Sequence, residues 1–201
     1  MMGKTHIYTG IASSLVLLHP ATIPGILGAA AGGAAGGWIC DIDCRSSKIN
    51  HWVAIGAFLV VVAAVGAIIL DWNGIYLYLR RHDGLQAMVG LLLLLGCCVY
   101  GITTSHRGFT HSLFALALMS VSVALCYKPL ALPFMVGFAS HLILDLTNKK
   151  GLQLFFPFKK RFCLGLCTSD GKCNDFLMHL AALVSVLAAA VLVVRVIAAY
   201  L

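Results

Sequence analysis

Long stretches of this chain carry almost no charge, and that limits the fold more than any other feature. Long apolar runs cover 53–70, 85–102, 113–126, 130–144 and 176–199, with Arg195 their one Lys, Arg or Asp. Each is long enough, or nearly so, to cross the roughly 30 Å hydrocarbon core of a bilayer as a helix. Two shorter runs, 7–18 and 25–39, flank the turn sequence "HPATIP". The second is rich in Gly and Ala, and small residues let helix backbones approach closely. The pattern predicts an all-α, polytopic membrane bundle of about six or seven helices in a single domain spanning 1–201. Its first two helices form a short Gly/Ala-rich hairpin that need not cross the bilayer fully. The first residues lack the basic start of a signal peptide and are expected to be retained.

Charged residues make up 10% of the chain, against about 25% in a soluble domain. No basic, aromatic-interleaved stretch suggests a nucleic-acid groove. The net charge of +7 points instead to membrane orientation and anionic lipid. All seven acids are aspartates, so carboxylate chemistry falls to them alone.

Threading the runs back and forth puts every polar cluster at one membrane face. His6 precedes the first helix, and Asp41 and Asp43 end the second. "SHRGFTHS" and "HLILD" close two later returns. Of the 14 Lys and Arg, Lys4, Arg45, Lys48, Arg107, Lys149, Lys150, Lys159, Lys160, Arg161 and Lys172 fall on that side. Arg80, Arg81, Lys128 and Arg195 fall on the other. The bias predicts a cytoplasmic site face.

Each cluster has a bland reading and a chemical one. His141 and Asp145 are a helical turn apart and share a face; they suit one divalent ion, or a hydrogen bond that ties the bundle. Asp41 and Asp43 would diverge by about 200° on an α-helix, so they converge only if the helix ends there, and two close carboxylates tolerate each other best around a cation. The alternative is a solvated helix end. His106 and His111 align only if Gly108 breaks the chain between them, with Thr110 capping the next helix. Arg107 suits a phosphate or carboxylate oxygen, or serves as a topology anchor. Ionisable groups beside spans are costly and tend to be functional. Gathered together, the clusters predict a centre for two or three divalent ions, zinc foremost, with manganese or iron as options. Such a centre activates water for hydrolysis. Cys163, Cys167 and Cys173 match no common zinc spacing and are expected as reduced thiols.

The motifs "THIYTGIASS", "DID", "HRGFTHSL" and "HLILDLTN" resemble, in order and spacing, the YdjM-like family of bacterial inner-membrane proteins, some of them under LexA control. That family is regarded as metal-dependent hydrolases. The resemblance implies an inner-membrane location and metal-ligand roles for His6, Asp41, Asp43, His106, His111, His141 and Asp145. Many members carry Gly-x-x-x-Glu before the last helix, where this chain has Gly171 to Asp175; Asp175 and His179 become additional candidate ligands. The ligand set also bears a distant similarity to the zinc-dependent phospholipase C and P1 nuclease group, which favours phosphoester substrates. The expected activity is hydrolysis of a phosphoester in a phospholipid or another lipid-linked phosphate. Arg107, Asp43 and His111 are the expected catalytic residues, membrane lipids the expected partners, and the "FFPFKKRF" loop a lipid-binding lip. A metal transporter or sensor would use the same ligands, although transporters place them near the midplane. An amide hydrolase lacks its usual glutamate base.

Overall fold

The computed structural model describes residues 2–44, 82–169 and 171–199. The expected span at 53–70 lies outside the described residues. Six α-helices occur among the described residues: α1 (Gly3–Leu18), α2 (Ile23–Ile39), α3 (His82–Thr103), α4 (Leu113–Cys126), α5 (Lys128–Leu146) and α6 (Lys172–Ala198). Two 3-10 turns, Cys40–Asp43 and Phe109–His111, follow α2 and precede α4. No strand forms among the described residues; the loop between α5 and α6 holds only isolated bridges, Asn148 with Cys167 and Leu152 with Phe162.

Among the described residues, four stretches are long and apolar enough to cross a membrane: Ile23–Asp43, Gly84–Thr103, Lys128–Leu146 and Lys172–Ala198. The first shows that α2 with its 3-10 extension reaches spanning length. Its partner α1 has 16 residues, about 24 Å of helix, short of the hydrocarbon core.

The packing is what lipid selects. Without water to drive helices together, association relies on close contact and interhelical hydrogen bonds. Accordingly, large apolar side chains such as Leu183, Val186 and Val194 of α6 face outward. The interior holds glycine and serine. A Cβ on Gly36 would lie 2.0 Å from the Phe134 carbonyl oxygen, and one on Gly137 2.1 Å from that of Gly33. Only glycine permits α2 and α5 to touch backbone to backbone. Ser14 of α1 donates to the Pro133 carbonyl of α5 at 3.1 Å, and Ser185 of α6 donates to the Tyr8 carbonyl of α1 at 3.1 Å. Thus α2 sits between α1 and α5, α6 packs on α1, and α3 pairs with α4 beside α5.

Helix polarity then does the positioning. The start of α1, the ends of α2, α3 and α5, and the starts of α4 and α6 meet at one end of the bundle. An apolar cluster containing Cys40, Ile42, Phe109, Met119 and Phe138 lies under that end.

Two local expectations are corrected. Ser112, not Thr110, caps α4: its hydroxyl accepts from the Ala115 amide at 3.1 Å. Thr110 and His111 belong to the preceding 3-10 turn, because Gly108 lets the chain fold back first. Cys167 and Cys173 are joined by a disulfide and are not reduced thiols. The loop returns to the first turn of α6 and brings the two together. Cys163 stays free and exposed.

Candidate metal centre

His6, Asp41, Asp43, His106, Arg107, His111, His141 and Asp145 all converge at the shared end. The 3-10 turn after α2 explains how "DID" takes part. Its two carboxylates do not face each other; they straddle one imidazole. Asp43 Oδ2 lies 3.2 Å from His111 Nδ1, and Asp41 Oδ1 lies 3.8 Å from His111 Nε2.

Asp43 is saturated with donors. Its Oδ1 accepts from His106 Nδ1 at 2.7 Å. Its Oδ2 accepts from the Arg107 amide at 2.9 Å and the Thr110 hydroxyl at 2.7 Å. Thr110 spends its one hydroxyl proton on Asp43, so His111 Nδ1, 3.0 Å from the Thr110 hydroxyl and 3.2 Å from Asp43 Oδ2, faces two acceptors and carries the proton, and its Nε2 is left facing inward. For His111, which lies outside the spans, burial opposes the charged form. The hydrogen bond and charge of Asp43, then Asp145 and Asp41, outweigh it and raise the pKa above the ordinary imidazole value.

His141 is fixed in the same way from α5. Its Nδ1 donates to the Gly37 carbonyl at 2.8 Å, so its Nε2 also points inward. The two Nε2 atoms are 3.2 Å apart. Lone pairs aimed at each other at that range need a proton or a cation between them. Asp41 Oδ1 lies 3.8 Å from His141 Nε2, and Asp145 Oδ2 lies 3.5 Å from His111 Nε2 and 4.0 Å from His141 Nε2. A zinc tetrahedron with ligands at about 2.0–2.2 Å has edges of about 3.3–3.6 Å. These separations, 3.2 to 4.0 Å, lie close to that range, so the donors are spaced as ligands of a divalent ion would be.

His6 adds a fifth donor. Its ring stacks on His141 with centroids 3.7 Å apart. Its Nε2 lies 3.3 Å from Asp145 Oδ1 in an ion-pair contact, and among the described residues neither buried ring nitrogen makes a well-aligned hydrogen bond. A buried polar atom in that state costs about 1–3 kcal/mol; a cation beside Asp145 removes the deficit. Three overlapping groups each place three donor atoms within 4.8 Å of one another: His6, His141 and Asp145; Asp41, His111 and His141; and Asp43, His106 and His111.

Arg107 is buried, with Nη2 3.2 Å from Asp145 Oδ2. Its Nε and Nη1 have no hydrogen-bond partner. Its backbone is left-handed, φ 65°, a conformation that costs a side-chain-bearing residue about 1–3 kcal/mol. Asp43 on its amide and the Gln153 amide on its carbonyl, at 3.0 Å, hold it there. Ligand-like donors thus surround a guanidinium with two free N–H directions.

Asp175 and His179 are exposed on α6 and belong to none of the three donor groups. The neighbouring Asn174 is the residue the sequence reading missed. It is fully buried, and its Oδ1 accepts from the Met2 amide at 3.0 Å and the Thr5 hydroxyl at 2.9 Å. It therefore ties the start of α1, and with it His6, to α6. A lone Asn in the first turn of a helix gives little signal by itself. Thr5 gave no signal either, and Thr110 was read only as a helix cap, although each stands next to a candidate histidine.

The comparisons with known proteins agree with this architecture. No solved structure matches the chain, and the distant similarity to the phospholipase C and P1 nuclease group is not shown. An uncharacterized protein, YvsG of Bacillus subtilis, is 31% identical over 180 residues, covering 89% of this chain and 87% of its own length. The family model described as "YdjM inner membrane protein" matches residues 1–201. The chain belongs to the YdjM inner membrane protein family.

Proposed function

We propose that this protein is a metal-dependent hydrolase of phosphoesters, working at the end of its helical bundle. The observation that carries the reading is Arg107. A buried guanidinium that spends one nitrogen on Asp145 and keeps two N–H directions free is built for an oxyanion. It stands beside an imidazole and carboxylate cage of the size a zinc ion needs. A divalent ion there supplies Lewis acidity and an activated water.

The residues divide the work. His6, Asp41, His111, His141 and Asp145 form the inner cage. His141 has one nitrogen to offer, since Gly37 holds the other, so it serves one ion at a time. Asp43 orients His111, and its four donors leave it an orienting carboxylate of the kind that fixes metal-ligating histidines. His106, whose side chain is 42% exposed, closes the rim of the cage through Asp43. Arg107 receives the non-bridging phosphate oxygens and offsets the charge that grows on them. With both cage carboxylates held as anions, the leaving oxygen takes its proton from solvent water.

We place this face in the cytoplasm. The Lys and Arg bias favours it, while the Cys167–Cys173 bond favours an oxidising compartment. The bias involves ten residues spread over the chain.

The test is metal-dependent release of phosphate from a phosphoester by the purified full-length protein. Asp41→Ala and His111→Ala abolish it. Arg107→Ala lowers turnover by about 10²–10³, the usual loss for one oxyanion donor. Full activity in the first two variants contradicts the mechanism, and metal uptake into proteoliposomes without hydrolysis replaces it with transport.

A further inference from the structure

The turn that carries the site has a second set of neighbours. Phe109 lies between Arg107 and His111 in sequence, and with Phe156 it walls two adjoining cavities. One, of about 430 Å³, opens between α3 and α4 and is lined by Leu93, Gly96, Tyr100 and Phe114. The other, of about 450 Å³, is lined by Ser105, Gln153, Lys159 and Arg161. Both volumes fall within the range of ligand sites, about 300–1,000 Å³.

We propose that one anionic phospholipid docks across the pair on its way to the metal centre, an acyl chain in the groove between α3 and α4 and its phosphate met first by Lys159 and Arg161 before it passes to Arg107. The proposal rests on the phosphoester reading above and names its substrate class: a lipid that reaches the metal centre sideways from the bilayer.

Four observations support that occupant. The apolar groove runs from Leu92 to Tyr100 along α3, about 12 Å of helix rise, most of one leaflet's share of the hydrocarbon core. Its Tyr100 end lies toward the site, because α3 ends there. Charge is complementary, since two cations and no acid line the polar cavity. Continuity is direct: Phe109 and Phe156 belong to both cavities, and Phe109 meets Tyr100 edge-on at 4.9 Å and Phe156 at 5.6 Å. Finally, a Cβ on Gly96 would find no atom of the described residues within 4 Å, so among them the α3 wall is open at mid-groove. The loop beside it exposes Phe155 and Phe158 next to Lys159 and Lys160, the composition of a segment that rests on an anionic membrane surface. The link to the metal centre is short: the Gln153 amide binds the Arg107 carbonyl at 3.0 Å.

The experiment uses the full chain in phosphatidylcholine nanodiscs doped with phosphatidylglycerol that carries a photoreactive diazirine on one acyl chain. Adducts are mapped by mass spectrometry. The expected adducts concentrate on 92–118. Gly96→Phe, which fills the groove, removes them, with thermal melting used to verify its fold. Lys159→Gln with Arg161→Gln, both at the surface, weakens labelling about fivefold per basic residue, roughly 25-fold for the pair. His141→Ala, which disables the proposed chemistry, keeps the adducts. Labelling spread evenly over α6, or unchanged in both the Gly96 and the paired basic variants, overturns the proposal. Equal labelling by an uncharged diacylglycerol probe also overturns it. Phosphate release from a soluble ester without localised labelling removes the groove and leaves the hydrolase. Localised labelling without phosphate release from any ester does the reverse.

Discussion

Replacing Asp43 by Asn separates an orienting carboxylate from a ligand. The substitution keeps size and removes the charge. The amide oxygen can stay on the Oδ2 side and go on accepting from the Arg107 amide at 2.9 Å and the Thr110 hydroxyl at 2.7 Å. The amide nitrogen then faces His106 Nδ1 across 2.7 Å, donor against donor, and His106 must change tautomer. Turning the amide over is worse, because its N–H groups then oppose the Arg107 N–H. The bond to His111 Nδ1, already 3.2 Å long, loses its charge assistance. Hydrogen bonds to charged groups contribute about 1.5–3 kcal/mol against about 0.5–1.5 kcal/mol for neutral ones, so roughly 1–2 kcal/mol of restraint on the ring disappears. Loss of such an outer partner costs about 10–100-fold in metal affinity. The assay is competition for zinc against a chromogenic chelator, with Asp43→Asn, His111→Ala and wild type measured side by side. Asp43→Asn should bind about 10–100-fold more weakly, and His111→Ala should fail to compete. If Asp43→Asn loses zinc as completely as His111→Ala, Asp43 is itself a ligand and the reasoning fails. If it binds as wild type does, the orienting role fails.

Other expectations follow from the same contacts. Asn174→Ala leaves the Met2 amide and the Thr5 hydroxyl unpaired, which destabilises the fold by about 1–3 kcal/mol and weakens zinc binding through His6; Asn174→Asp, which keeps the acceptor, restores most of it, and equal zinc affinity in all three forms counts against the tether. Gly36→Ala forces a methyl group to within 2.0 Å of the Phe134 carbonyl oxygen, and overpacking of this kind costs about 1–3 kcal/mol, read as a lower melting temperature in detergent, whereas Gly96→Ala should melt no lower than wild type. Cys163 should react with a membrane-impermeant maleimide only after spheroplasts are opened, with Cys163→Ser identifying the labelled site. Reaction in intact spheroplasts moves the metal face outside.

Much of this architecture was readable from long apolar runs, because lipid permits few alternatives to helices of spanning length. A zigzag of those runs implies that the polar clusters gather at one face, since alternate helix ends share it, and the described helices do bring His6, Asp41, Asp43, His106, His111, His141 and Asp145 together. What escaped was local. His141 and Asp145 share a face as their helical spacing implies, with Nε2 4.0 Å from Oδ2, but the relation of Asp41 to Asp43 depends on a 3-10 turn that residue types do not announce. So does the identity of the α4 cap, where Thr110 and Ser112 were equally suitable by chemistry and only the fold of the Gly108 turn decided. The second half of each histidine's environment was invisible as well. The Gly37 carbonyl that fixes His141 comes from a residue with no side chain to notice, and Asn174 reaches His6 across almost the whole length of the chain. The disulfide required knowing that the loop after α5 closes on α6.

The most direct measurement is the metal content of the purified full-length protein, by elemental analysis, beside His141→Ala and Asp41→Ala. The account predicts at least one first-row divalent ion for each wild-type chain and its loss from both variants while they remain folded. Wild-type protein that stays metal-free after incubation with zinc, or variants that retain the ion in full, would contradict it.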